Sequence, residues 1–296
     1  MDENKLSLIF SIDIVFDNPF NNKNGGKENL KFLNEISKIL KENISNYCKP
    51  KISWLVSDND LLLEEFCRVK DSFVSNYDEI GMHCLIPNST NLRKCRKEVI
   101  ENYIENSINL FNNFSIKPIS NRTMGCAASN DLFSVLEDFG FKVDSSSIPN
   151  RKRIKQIEFD WSDTPTNPYY PSISDYRRPG KGFSDSQKIL EVPLSTILTM
   201  TSYDKFPVSR YLDLCFNHKI ILKYLKDVIS RNQYLVTIIH PHELLQKPKK
   251  HELYAKSISE FSENVKRMVE IFENLNKNIN CYTLSETPEL VKNTTN

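Results

Sequence analysis

The chain has 296 residues, with 39 lysines and arginines against 38 aspartates and glutamates and 39% hydrophobic residues. That length is more than a small stapled scaffold needs and suits one large α/β domain or two small ones. The near-zero net charge excludes a strong electrostatic footprint for nucleic acid or an anionic membrane, and no run of about 18 apolar residues is present to cross one.

Residues 5–14 hold an apolar run that fits a buried strand ending at Asp13. After a polar, glycine-bearing loop, residues 28–40 have apolar positions at helical spacing. Residues 51–56 read as a second strand, and Asp58 is placed to cap a helix running to Val69. Residues 79–83 form a third strand ending at His83, followed by a long helix over 92–111. A fourth strand over 116–120 precedes Arg122. Ser129 caps the next helix and Gly140 stops it, before a strand that begins at Phe141.

Alternating strands and helices predict a parallel sheet or barrel with helices outside. From about residue 150 to 188 the alternation breaks. This stretch is rich in Pro, Ser, Asp and Tyr, and its aromatics mark it as an ordered loop insertion rather than a disordered one. Regular structure returns with residues 189–193, a helix over 217–230, a strand over 234–239, a helix over 253–275 and a last strand near 280–284. No repeat or linker divides the chain, so the expectation is a single α/β domain over 1–296, a distorted (β/α) barrel of about seven strands.

In such barrels the active site forms at the carboxyl ends of the strands. Asp13, His83, Asp144 and His240 end strands here, and Arg122 follows one. Together they make a hydrolytic site. The basic run Arg151-Lys152-Arg153 reads as a solvated loop surface. The seven cysteines show no C-x-x-C pair, which favours reduced thiols in a cytoplasmic protein. The acidic start of the chain does not read as a signal peptide. Cys84 and Cys126 are expected in loops at the active face, and His218 and His251 on helical or surface stretches. A nucleophilic cysteine would need a base beside it.

The ordered segments SIDIVFDNPF, EIGMHCLIP, SNRTMGCAASNDLFSVLEDFGFKVDSSSIP, FDWSDTPTNPYYPS, ILEVPLS, VTIIHPHEL and CYTLSETPEL resemble, through almost the whole chain, the polysaccharide deacetylase family. These are the NodB-homology, carbohydrate esterase family 4 type. The resemblance implies hydrolysis of an N-acyl group on an amino sugar or polysaccharide precursor, in surface-polysaccharide synthesis. It implies a divalent metal, commonly zinc, that polarises the acyl oxygen and its water. Position by position, Asp13 matches the base, Arg122 the arginine that orients it and His240 the proton donor. His83 matches a metal ligand, and Asp17 is placed to replace a missing carboxylate ligand. Asp160, Trp161, Tyr169 and Tyr170 fall where the site is walled for substrate.

The metal motif departs from the family. Ile14 and Val15 stand where a carboxylate ligand is expected, and Leu85 and Pro87 where a second histidine is expected. A catalytic zinc normally has three protein ligands. Two readings stay open: a hydrolase with a rebuilt metal site, and a silenced deacetylase fold that binds a carbohydrate or protein partner without turnover. Metal-free acid–base hydrolysis by Asp13 and His240 is a third.

Overall fold

A computed structural model describes residues 4–15, 30, 32–86, 91–154, 157–202, 204–244, 253–255 and 257–295. The strands are β1 (Lys5–Ile14), β2 (Ile52–Ser57), β3 (Glu79–Cys84), β4 (Ser120–Thr123), β5 (Val143–Asp144), β6 (Lys152–Arg153), β7 (Phe159–Asp160), β8 (Leu190–Glu191), β9 (Thr196–Thr199), β10 (Val208–Tyr211), β11 (Tyr234–Ile239) and β12 (Asn278–Cys281). The α-helices are α1 (Leu33–Ile44), α2 (Asp60–Val69), α3 (Lys97–Asn113), α4 (Asn130–Asp138), α5 (His218–Arg231), α6 (Ile258–Asn274) and α7 (Thr287–Thr295).

Seven strands follow one another in the order β11-β1-β2-β3-β4-β5-β8, all parallel. β12 pairs with residues 5–8 of β1 and β2 with residues 10–14, so the two share one edge of β1 in succession. β8 and β11 form no ladder. The gap between them is bridged by single bonds: Ser195 N–H to Val236 O at 3.0 Å, Leu212 N–H to Ser195 O at 2.7 Å and Ile238 N–H to Leu212 O at 3.0 Å. This is the distorted (β/α) barrel of seven strands.

The strands at the barrel centre are apolar almost throughout, as sheets covered by helices require. Gly81 is needed where β3 meets β4, because a Cβ there would lie 2.3 Å from Ser120 Oγ. Ser129 Oγ accepts the Leu132 N–H at the start of α4, and Gly140 follows that helix at φ +86°. The α2 cap is Asn59 rather than Asp58: its side chain accepts the Leu62 N–H, while Asp58 accepts from Ser107 Oγ at 2.7 Å. The antiparallel hairpin of β9 and β10 was not anticipated from the sequence.

Cys48, just past α1, and Cys281, at the end of β12, are joined with their Cα atoms 6.1 Å apart. Cys67, Cys84, Cys95, Cys126 and Cys215 are free. Among the described residues no helix is long and apolar enough to cross a membrane.

Candidate functional site

Parallel strands put their carboxyl ends on one rim, and the rim here carries Asp13 from β1, His83 from β3, Arg122 from β4 and His240 directly after β11. These four line one cavity of about 270 Å³. Arg122 Nη1 donates to Asp13 Oδ1 at 2.5 Å. His83 Nε2 lies 3.2 Å from Asp13 Oδ2, and His240 Nε2 lies 3.8 Å from the same oxygen.

Arg122 is buried, and its donors are fixed by neighbours. Nε donates to Ser145 O at 2.6 Å, Nη2 to Ser145 Oγ at 2.9 Å and Nη1 also to Ser11 Oγ at 3.0 Å. The Asp144-Ser145-Ser146 run is thereby explained: Ser145 holds the arginine, and Ser146 Oγ accepts the Thr123 N–H at 2.9 Å.

Asp213 is a buried site residue that the sequence reading missed. Its Oδ2 lies 2.6 Å from His240 Nδ1, and its Oδ1 accepts the Cys215 N–H at 2.7 Å. It lies after β10 in the segment that closes the barrel against β11, bridging to Ile238. The available signal was a lone carboxylate between apolar residues in Tyr211-Leu212-Asp213-Leu214-Cys215; a buried charge needs a partner.

Electrostatics separate the two proton-bearing groups. Burial alone would raise the Asp13 carboxyl, but the Arg122 charge and then His83 hold it well below the usual range. Burial opposes charge on His240, yet Asp213 outweighs it and Asp13 adds to the effect, so its pKa is raised. The result is a firmly ionised carboxylate beside a histidine whose proton is held more firmly than usual. Burial pushes the Cys126 thiol up to about 12 and Cys84 higher still, so neither is an activated nucleophile. Cys84 also sits within β3, not in a loop.

The four residues expected to wall the site stand elsewhere. Trp161 is wholly buried, with its indole N–H donating to Cys126 O at 2.8 Å and its ring edge-on to Tyr176. Tyr169 is buried, and its hydroxyl donates to Tyr176 O at 2.9 Å. Tyr170 packs against the core. Asp160 turns away from the cavity toward Lys152 at 3.0 Å and Arg177 at 3.5 Å, and is held at about 2: burial raises it, but Ser162 and Lys152 prevail. These aromatics attach the 151–188 excursion to the barrel, and that use requires their burial. The cavity wall is built instead from Phe159, Tyr211 and Tyr254.

The basic run is also corrected. In the β6–β7 hairpin Lys152 registers with Asp160 and Arg153 with Phe159. Side chains alternate along a strand, so Lys152 turns one way while Arg151 and Arg153 both line the cavity. His218 is held by Asn264 Oδ1 at 2.8 Å, on α5, away from the site.

Among the described residues the donor set does not fit a catalytic zinc. Among the described residues no group of three His, Cys, Asp or Glu side chains is placed to hold a metal. Asp17, the expected substitute ligand, lies outside the described residues, as does His251. Val15 presents an apolar side chain on the cavity wall. Both Asp13 oxygens are engaged, one by a guanidinium whose charge opposes a cation. Among the described residues His83 Nδ1 is buried without a partner, whereas a ligating histidine normally gives its second nitrogen to a carboxylate or carbonyl.

No family model matches the chain, and no curated protein matches it in sequence. Solved structures do. A protein from Parabacteroides distasonis, named as a candidate glycoside hydrolase/deacetylase, superposes with a TM-score of 0.65 and 16% identity, covering 98% of this chain and 71% of that one. A candidate polysaccharide deacetylase from Mycobacterium smegmatis gives 0.60 and 12%, covering 99% and 92%. The chain has the polysaccharide deacetylase fold. A 4-alpha-glucanotransferase from Thermococcus litoralis also superposes, at 0.50 and 14%, over 96% of this chain and 40% of its own. The deacetylase fold therefore accommodates different chemistries, and function has to be argued from the site.

Proposed function

We propose that this protein uses the deacetylase fold to bind a carbohydrate at the barrel mouth without zinc-dependent turnover. The observation that carries the reading is the state of Asp13. One oxygen is tied to Arg122 at 2.5 Å and the other to His83 at 3.2 Å, while Val15 lines the wall beside them. A carboxylate held far below its usual pKa is a weak general base toward water unless a metal acidifies that water. The cavity still suits a sugar. Phe159, Tyr211 and Tyr254 offer apolar surface, and His240 and Glu243 offer polar groups.

A second reading, removal of an N-acyl group from an amino sugar in surface-polysaccharide synthesis, is favoured by one observation. His240 is oriented by Asp213 at 2.6 Å and biased toward its charged form, as a proton donor to a leaving amine would be.

Calorimetric titration with N-acetylglucosamine and its β-1,4-linked dimer, paired with an acetate-release assay in the presence and absence of zinc, separates the two. Binding without acetate release supports the first reading. Zinc-stimulated release that is lost in His240→Ala replaces it with the second.

A further inference from the structure

Arg151 and Arg153 lie on the wall common to two cavities, the 270 Å³ cavity holding Asp13 and His240 and a neighbouring one of about 390 Å³. Tyr211 and Tyr254 also belong to that common wall. Lys152 between them lies 3.0 Å from Asp160; it shares the lining of the larger cavity but not that of the cavity holding Asp13 and His240.

Among the described residues no carboxylate lies within ion-pairing distance of either guanidinium. Arg153 donates only to carbonyl oxygens, Ile157 O at 2.7 Å and Gly125 O at 3.0 Å, and sits 4.7 Å from the centre of the Phe159 ring. Arg151 approaches the same ring at 5.9 Å. Burial and the like charge of Arg151 hold Arg153 below its ordinary pKa.

Among the described residues the nearby carboxylates are engaged elsewhere. Asp160 faces Lys152, Asp204 is paired with Arg210 at 2.7 Å, Asp13 with Arg122, and Glu243 lies 3.3 Å from His242 Nε2. Two arginines side by side with no counter-charge are an unfavourable arrangement in the free protein, and an oxyanion between them relieves it. The planar guanidinium matches phosphate and carboxylate with paired hydrogen bonds.

We propose that the ligand of this pocket is an anionic saccharide, whose phosphate ester or uronate carboxylate is seated by Arg151 and Arg153 while its sugar ring lies toward His240. The sugar part rests on the carbohydrate-binding reading above; the oxyanion part does not.

The test is calorimetric titration of the whole chain with four probes: inorganic phosphate, N-acetylglucosamine, N-acetylglucosamine 1-phosphate and glucuronic acid. The same series is run on Arg151→Gln/Arg153→Gln, on each single variant and on Arg178→Gln, a control in the same excursion that matches the single variants in charge, with circular dichroism verifying the fold of each. The sugar phosphate or the uronic acid is expected to bind at least about tenfold tighter than the neutral sugar, an advantage worth about 1.4 kcal/mol. The advantage is lost in the double variant, kept in Arg178→Gln and reduced by added salt. Which of the two anionic sugars binds tighter identifies the oxyanion. Equal binding of neutral and anionic sugars, or an advantage that survives in the double variant, overturns the proposal and leaves the carbohydrate reading standing. Phosphate binding lost in the double variant, with no gain from any sugar, keeps the oxyanion site and overturns the carbohydrate reading.

Discussion

Asp213 Oδ2 holds His240 Nδ1 at 2.6 Å, which fixes the ring so that Nε2 lies toward Asp13 at 3.8 Å. The two carboxylates are far apart in sequence and both reach His240 where the barrel closes between Leu212–Leu214 and Ile238. Asp213→Asn is therefore expected to lower the His240 pKa, read from the histidine ring signals in an NMR titration. The sign for stability follows. A histidine raised in the folded state stabilises below its unfolded pKa, and this contribution is lost as pH rises through the folded value. The loss of stability in Asp213→Asn should thus be larger at pH 5 than at pH 8. An unmoved His240 titration would show that Asp213 does not tune it.

Asp13 and Arg122 are buried together, so removing either leaves an uncompensated charge. Arg122→Met and Asp13→Asn should each destabilise by ~3–5 kcal/mol, and the double variant by clearly less than their sum. Urea unfolding of the four proteins measures this. Additive losses would mean that the pair is not coupled.

Trp161 is a core residue of the excursion and not a face for a sugar ring. Trp161→Ala should cost ~3–5 kcal/mol of stability by opening a cavity. Ligand affinity lost at wild-type stability would return Trp161 to the binding wall.

A second carboxyl pair, Asp144 and Glu191, lies side by side on β5 and β8, fully buried. Burial, then mutual repulsion, raises Glu191 well above the usual range, and burial raises Asp144. Acids raised in the folded state make stability fall as pH rises through their folded values. Glu191→Gln keeps the acceptor for the Ser147 N–H, at 2.8 Å in the parent, and removes one titration. It should be at least as stable as the parent at pH 8, with a flatter alkaline decline in thermal-melting scans. A steeper decline would assign the alkaline sensitivity to other groups.

The ends of β1, β3 and β11 were legible because each is a largely apolar run with one polar residue at its end, whereas Arg122 sits inside the polar strand Ser120–Thr123 rather than after a strand over 116–120; Asp13, His83, Arg122 and His240 do meet at one rim. The rest depends on tertiary contact. Asp213 lies outside any strand or helix and acquires its role only when its segment closes the barrel. Trp161 and Tyr169 carry no local mark that separates a wall from a core. Arg151 and Arg153 looked solvated because a two-residue strand is too short to reveal its alternation in sequence.

The proposal rests on Asp13, Arg122 and His240 meeting at one rim with no set of metal ligands among the described residues. The most direct measurement is zinc content by elemental mass spectrometry on protein purified without chelator, followed by titration with zinc. Far less than one zinc per chain, with no saturable uptake, is the predicted result. About one tightly held zinc per chain, lost in His83→Ala, would contradict it.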